Sequence, residues 1–433
     1  MIQVIKGDAE SRREFIRQMK QRGKKSGPKI EKTVSDILEN VRRNGDGAVR
    51  EYTRKFDGSV PKKTEFSAEE MRKLAKSCDS FFLAALERAA ENIREFHVCQ
   101  KQQSWFRTRP DGVLTGQRIR ALDRVGIYVP GGTAAYPSSV LMNAIPAKIA
   151  GVREIVMVTP PGRDGKPNPD IMAAAVTAGV DRAFLIGGAQ AVAALAFGTE
   201  TVPKADKIVG PGNIYVATAK RLLYGTIGID MIAGPSEILI LADETADPRF
   251  LAADLMSQAE HDVLASAILL TDSERVADET VKEIYRQMES LSRKDIISQS
   301  LDCYGAVAVC ASMDEAVEFA NELAPEHLEV CAANPTEYIG RIDNAGSVFL
   351  GSYAPEPLGD YFAGPNHVLP TGGTARFSSP LSVDSFIKKS SFIYYTKEAL
   401  GSAAPDIVAL AEAEGLTAHA NSIKVRVENV PSE

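Results

Sequence analysis

From about Arg124 onward the chain repeats one unit: a short β-rich run, a glycine or proline turn, then a segment with helical spacing. Strand-type runs cover Val125–Val129, Glu154–Val158, Ala183–Ile186 and Lys207–Val209. A second series follows at Glu237–Leu241, Ala265–Leu270 and Ala306–Val309. Crossovers of helix length bring successive strands in parallel, and parallel sheets are covered by helices on both faces. An α/β fold with parallel sheets is therefore expected.

The helical segments fall between those runs. They lie near Asp170–Ala178, at Ala189–Phe197, from Pro248 to about His261 and from Ser273 to about Leu291. Another, after Gly210-Pro211-Gly212-Asn213, carries Val216, Ala219, Leu222 and Leu223. Ser312 and Glu315 form a capping-box pattern, the stripe Ala316, Phe319, Ala320, Leu323 follows, and Pro325 ends the helix. Residues 1 to about 110 read as helical and strongly charged, with Lys20–Lys32 a solvated basic stretch joining an N-terminal arm to the body. Residues 343–380 read as one long irregular stretch, which in an α/β protein is usually functional. Near the end, Pro405 is expected to start a helix that Gly415 caps, and Ile423, Val425 and Val427 alternate as in a strand.

Composition narrows the function classes. With 50 basic and 57 acidic residues the net charge is −7, which argues against nonspecific nucleic-acid binding. The most apolar stretch, Ala183–Gly198, is too short to span a bilayer. Met1–Arg17 has no apolar segment of a secretory signal, so a cytoplasmic protein is expected. The five cysteines, Cys78, Cys99, Cys303, Cys310 and Cys331, are odd in number and contain no C-x-x-C, which suits reduced thiols.

Histidine carries the sharpest signal, because there are only five. His97 sits in a charged helical stretch and reads as structural. Asp254, Gln258 and His261, spaced four and three apart, share one helix face that continues the apolar line of Leu251 and Leu255. They offer ligands for a metal, and a solvated helix end explains them too. In Pro325-Glu326-His327 an imidazole base stands beside a carboxylate able to activate water. Adjacent residues do not face each other on a regular helix, so both reach one site only if Pro325 breaks the backbone. Asp360 and Gly364-Pro365-Asn366-His367 lie in the irregular stretch, where turns alone account for such residues. The turns Gly187-Gly188 and Gly210–Asn213 stand at strand–helix junctions, where a helix N-terminus can hold a phosphate or the turn can be plain. Neither matches the dinucleotide fingerprint.

Taken together and in order, these blocks resemble the L-histidinol dehydrogenase family. The resemblance runs through Val125–Gly132, Gly210–Asn213, Ala233–Glu237, Gln258–Asp262, Pro325–His327, Asn344–Ser347, Gly364–His367, Gly372–Arg376, Ser378–Pro380 and Glu414–Ala420, nearly the whole chain. It implies oxidation of L-histidinol to L-histidine with two NAD and one water, through an aldehyde that is not released. It implies one zinc ion per subunit on Gln258, His261, Asp360 and His419, with the metal orienting the substrate. Glu326 and His327 are implied as catalytic, the first activating water and the second acting as base. The same set Gln258, His261, His327, Asp360 and His419, with Ser236, Glu414 and His367, would contact the substrate. Tyr128, Gln190 and Asn213 would contact NAD. The family is a homodimer in which the tail completes the partner's site. Its layout implies two Rossmann-like parallel α/β domains with a helical N-terminal arm and a small C-terminal tail domain. The divisions are an arm at 1–25, a discontinuous domain of 26–124 plus 236–380, a second of 125–235, and a tail of 381–433.

Three other readings compete. A thiol-dependent aldehyde dehydrogenase needs a cysteine beside the cofactor, and the nearest, Cys331, reads better as a buried strand residue. A related zinc-dependent dehydrogenase of another polyol or amino alcohol would share the Glu-His pair and differ around the substrate. A non-catalytic α/β binding protein would have no use for ligands from three distant segments beside that pair.

Overall fold

The computed structural model describes residues 2–6, 9–19, 22, 27–58, 60–131 and 135–428. Gly132 and, in the basic stretch Lys20–Lys32, residues 20, 21 and 23–26 lie outside them. In chain order the strands begin with β1 (Gln3–Lys6), β2 (Glu65–Ser67), β3 (Trp105–Thr108), β4 (Leu114–Ala121) and β5 (Arg124–Tyr128). Next come β6 (Glu154–Thr159), β7 (Arg182–Leu185), β8 (Lys207–Val209), β9 (Gly228–Ile229) and β10 (Glu237–Ala242). The last are β11 (Ser266–Thr271), β12 (Gly305–Val309), β13 (His327–Cys331), β14 (Ser347–Leu350) and β15 (Ile387–Tyr394).

Two six-stranded sheets follow one plan. The first has the order β2-β7-β6-β5-β8-β9 and the second β1-β12-β11-β10-β13-β14. All neighbours pair in parallel except β2, which is antiparallel to β7. Each sheet thus runs outward from a central strand, β5 or β10, then reverses to the other side at β8 or β13, the doubly wound arrangement. The α/β reading holds.

The central strands β10 and β11 are buried along their full length. On one face of the second sheet Ile238, Ile240, Leu269 and Val307 meet Leu251 and Leu255 of the helix Pro248–Ala259. On the other, Leu239, Leu241, Leu270 and Val330 meet Ala316 and Phe319 of Met313–Leu323. Apolar contact on both faces explains the unbroken apolar runs. Helix starts are set by side-chain caps: Asn168, Asn213, Asp247 and Ser273 each accept from a backbone N–H of the following turn. At Ser312 the box is shifted by one residue. Ser312 accepts from Glu315 N–H, while the Glu315 carboxylate accepts from Ala311 rather than Ser312.

Several expectations need correction. The N-terminal arm is not all helix: β1 forms the edge of the second sheet, and Phe15 of the helix Ala9–Met19 packs edge-on to Phe319. The helix Pro28–Asp57 packs with the first sheet, not with 236–380, because its stripe Val34, Ile37, Val41 covers Val192 and Leu195. The helix Pro137–Ala150 went unpredicted since it is buried nearly all round and has no amphipathic stripe. Lys294–Tyr304 is a further unpredicted helix. Residues 343–380 are less irregular than expected, holding β14 and the helix Glu356–Tyr361.

Lys101–Ala121 and Ile387–Glu433 form a separate compact unit. It holds the antiparallel sheet β15-β4-β3 and two helices, Lys397–Ala413 and Thr417–Val427. Pro405 lies inside the first helix instead of starting it, because Thr396 caps nine residues upstream of the expected start. Gly415 does cap it, with φ 73° and the Leu416 N–H on Ala411 C=O. Ile423, Val425 and Val427 belong to the second helix, not to a strand: the alternation is too short to outweigh packing of that helix on the first. Among the described residues, no helix is long and apolar enough to cross a membrane.

Candidate functional site

The amino end of β13 is shaped by its entry. The helix Met313–Leu323 stops at Ala324, the one non-glycine described residue with positive φ, 50°, and Pro325 follows. Glu326 therefore stands just ahead of the strand, outside its pleat, and His327 is the first strand residue. This is the break that lets neighbouring residues share one site. Glu326 Oε2 accepts from the Glu237 N–H at 2.8 Å, and the Glu326 N–H donates to Glu237 Oε2 at 3.3 Å. His327 Nδ1 lies 2.9 Å from the Glu237 carbonyl, to which it donates, and 3.7 Å from Glu326 Oε2. That bond fixes the proton on Nδ1 and leaves the Nε2 lone pair free. Nε2 is buried with no hydrogen-bond partner. Burial pushes the imidazole down to about 4, so it is neutral at pH 7. Burial and the nearby Glu237 charge push the Glu326 carboxyl well above the usual range.

The helix Glu356–Tyr361 carries Glu356 and Asp360 one turn apart. Glu356 Oε1 sits 3.8 Å from His327 Nε2, and ligand-type atoms of His327, Glu356 and Asp360 lie within 4.8 Å of one another. His367 Nδ1 is 3.1 Å from the Asp360 carbonyl and 3.5 Å from Asp360 Oδ1. Burial opposes ionisation of Asp360, but His367, His327 and His261 outweigh it and hold the carboxyl down to about 2. A cavity of about 260 Å³ opens here, lined by His327, Ser347, Phe349, Asp360, Asn366 and His367.

Gln258 and His261 approach from the end of the helix Pro248–Ala259. The helix is shorter than expected, so His261 stands two residues beyond it and is exposed. Its charge acts on both Asp360 and His327. Gln258 is 0 % exposed, yet neither polar atom of its carboxamide has a partner. Such a group is expensive unless something bonds it. A buried carboxamide oxygen, an imidazole and a carboxylate make a donor set that suits a zinc-like cation. Asp254, expected on the same face, instead hydrogen-bonds Glu329. Ser236 lies half-buried at the head of β10. Glu356, Glu237 and Arg22 were missed by sequence reasoning. Only Glu356 had a local signal, its four-residue spacing from Asp360.

Tyr128, Gln190 and Asn213 gather elsewhere, at the carboxyl ends of strands of the first sheet. Tyr128 ends β5, and its hydroxyl accepts from the Gly188 N–H at 3.0 Å. Gln190, in the first turn of Gly188–Phe197, is buried with both polar atoms unpartnered. Asn213 is exposed and caps Ile214–Leu223. Gly210 has φ 109°, and a Cβ there would fall 2.2 Å from the Tyr128 carbonyl oxygen. Below it Lys220 donates to the Gly210 carbonyl and pairs with Asp230, which accepts from the Gly210 N–H.

Glu414 and His419 belong to the smaller unit. Both are exposed, Glu414 just past the helix Lys397–Ala413 and His419 at the start of Thr417–Val427. His97 is fully buried, with Nδ1 2.7 Å from Gln100 Oε1, as suits a structural residue. Cys331 ends β13 buried, and burial pushes its thiol far up, away from nucleophile chemistry.

Comparison with known proteins follows the same line. The family described as "Histidinol dehydrogenase" matches residues 20–427. The histidinol dehydrogenase of Clostridium acetobutylicum is 56 % identical over 98 % of this chain and 99 % of its own. That of Listeria monocytogenes is 56 % identical over 92 % of this chain and 93 % of its own. The crystal structure of histidinol dehydrogenase from Elizabethkingia anophelis matches with a TM-score of 0.93 at 39 % identity, covering 100 % of this chain and 99 % of that one.

Proposed function

The chain belongs to the histidinol dehydrogenase family, oxidoreductases of histidine biosynthesis, and from that premise we propose that it oxidises L-histidinol to L-histidine in two hydride transfers through a retained aldehyde. The observation that carries this reading is His327. It is a buried, neutral imidazole with Nδ1 fixed on the Glu237 carbonyl, Nε2 free, and an acidic side chain on each side.

In the first oxidation His327 Nε2 takes the hydroxyl proton as the substrate carbon gives up its hydride. Glu326, held by the Glu237 N–H, then removes a proton from the water that adds to the aldehyde. His327 serves again when the hydrate is oxidised. Between the steps it must be neutral, as its burial favours. Ser236 and His367 orient the substrate. Tyr128, Gln190 and Asn213 line the NAD side, where backbone N–H groups at two helix starts suit a pyrophosphate. NAD, when bound, supplies the hydride acceptor. Zinc, when bound, would be held by Gln258, His261, Asp360 and His419 and would fix the substrate's nitrogen atoms. The orphaned Gln258 carboxamide supports its place in that set. Glu414 and His419 would reach the site of a second copy in a homodimer, and a cytoplasmic location fits such an enzyme.

The test is the NADH yield from limiting L-histidinol with excess NAD and zinc-loaded protein. Two NADH per substrate, lost on chelation and restored by zinc, supports the four-electron reaction. One NADH overturns the second oxidation and the role of Glu326 with it. Mixing a His327→Gln protein with a His419→Asn protein tests the tail: regained activity in hybrids requires that a tail serves its partner's site.

A further inference from the structure

Glu237 has no part in the steps above, yet it is tied to Glu326 twice. Its N–H holds Glu326 Oε2 at 2.8 Å, and its own Oε2 accepts from the Glu326 N–H at 3.3 Å. The two acids thus clasp each other across the heads of β10 and β13. Two carboxylates so close in a buried place repel each other strongly. One guanidinium stands against both. Arg22 pairs with Glu237 Oε1, which also accepts from the Gly372 N–H at 3.1 Å, and its charge reaches Glu326. The Arg22 side chain is 2 % exposed. Its Nη1 and Nη2 groups also donate to the carbonyls of Pro235 at 3.1 Å, Ser236 at 3.4 Å and Leu264 at 3.2 Å. The arginine therefore grips the turn that carries Ser236 as well as the acid beside it.

We propose that Arg22 and Glu237 are positioning residues for Glu326: their clasp aims its carboxylate, and the balance of one guanidinium against a second carboxylate sets the pH at which Glu326 becomes a base. This rests on the reading of Glu326 as the water-activating group. The groups that face it are Glu237 from β10, Arg22 from the N-terminal segment, Glu356 and Asp360 from the helix Glu356–Tyr361, and His327 from its own strand. Three acids hold its proton on. Arg22 pulls the other way.

An ion pair that merely ties the N-terminal segment to the sheet would leave no mark on the pH profile. A pair that tunes Glu326 marks it with opposite signs. The experiment measures kcat/KM against pH for L-histidinaldehyde and for L-histidinol, with the full-length, zinc-loaded enzyme and NAD. Glu237→Gln removes a facing negative charge, so the acid limb of aldehyde oxidation should move down by about one pH unit. Arg22→Met removes the cation, so the limb should move up by about as much. Arg22→Lys should restore it. The alcohol step should show smaller shifts, since its base is His327. Arg22→Met leaves a buried carboxylate without its counter-ion. Where that variant does not fold, Arg22→Met with Glu237→Gln takes its place, and its limb should lie above that of Glu237→Gln alone. Shifts of one sign, or none, overturn the proposal. Glu326→Gln is the control that separates the two ideas. Equal loss of both oxidations sinks the water-activating role itself. Selective loss of aldehyde oxidation, with unmoved limbs in the Glu237 and Arg22 variants, sinks only the positioning role.

Discussion

The two six-stranded sheets share one strand order and put the groups proposed for function at opposite ends. In the first sheet Tyr128, Gln190 and Asn213 lie at carboxyl ends, around the reversal between β5 and β8. In the second, Ser236, Glu326 and His327 lie at the amino ends of β10 and β13. The difference follows from the helices. In a strand–helix–strand unit, helix N-termini gather at the carboxyl ends of strands, where free N–H groups and the positive end of the dipole favour anions. Helix C-termini gather at the amino ends and favour cations. The helices Pro248–Ala259 and Met313–Leu323 both end toward the second site, and Gln258, His261 and Glu326 stand at those ends. One plan thus gives an anion-favouring end in the first sheet and a cation-favouring end in the second, the ends proposed for NAD and zinc.

Damage should therefore separate by sheet. The largest effect is expected for His327→Gln, a loss of roughly 10³-fold in both oxidations. Its KM for NAD should stay within about twofold of wild type, because the first sheet is untouched. A large rise in that KM would show that the two ends are not independent. Next comes Lys220→Met, which leaves Asp230 buried and unpaired beneath the Gly210 turn. Thermal or urea unfolding should show a loss of about 3–5 kcal/mol. In the fraction that folds, the KM for NAD should rise while kcat changes little.

A pair of glycines sharpens the comparison. A Cβ at Gly210 would lie 2.2 Å from the Tyr128 carbonyl oxygen, and one at Gly346 would lie 2.5 Å from the Glu326 carbonyl oxygen. Each glycine lets a loop press against the strand end of its own sheet. Alanine at either should cost about 1–3 kcal/mol in stability. Gly210→Ala should weaken NAD binding, and Gly346→Ala should lower kcat for aldehyde oxidation. Swapped phenotypes would refute the assignment of the two ends.

Much of this plan was legible because parallel strands must be apolar throughout, and such runs stand out between turns. Rare histidines marked the second site for a related reason: a chain with five has few to spare, and His327, His261 and His367 stand around Asp360. Periodicity failed where its physical basis was missing. The helix Pro137–Ala150 has no solvent face to create a stripe. Val425 and Val427 alternate without a sheet to receive them. Glu237 and Arg22 were illegible for another reason. An acid at a strand head and an arginine in a basic stretch look solvated until the fold brings residues 215 positions apart together.

The smallest expected effect concerns a partly buried acid beside the first site. Asp57 ends the helix Pro28–Asp57, and its charge reaches the Tyr128 hydroxyl. Burial pushes its carboxyl up to about 6 from an ordinary 3.8. The folded state then holds a proton that the unfolded chain releases earlier. Its contribution to stability is present in full below about pH 4 and is lost as pH rises through 6. A helix C-terminus adds to the cost of the ionised form. Asp57→Asn should therefore match wild type in thermal stability near pH 4 and exceed it at pH 8. Because the group is partly exposed, solvent screening should hold the gain to about 1 kcal/mol. Parallel stability curves across that range would mean that Asp57 ionises as freely in the fold as out of it, and the first site would then carry a charge at no cost.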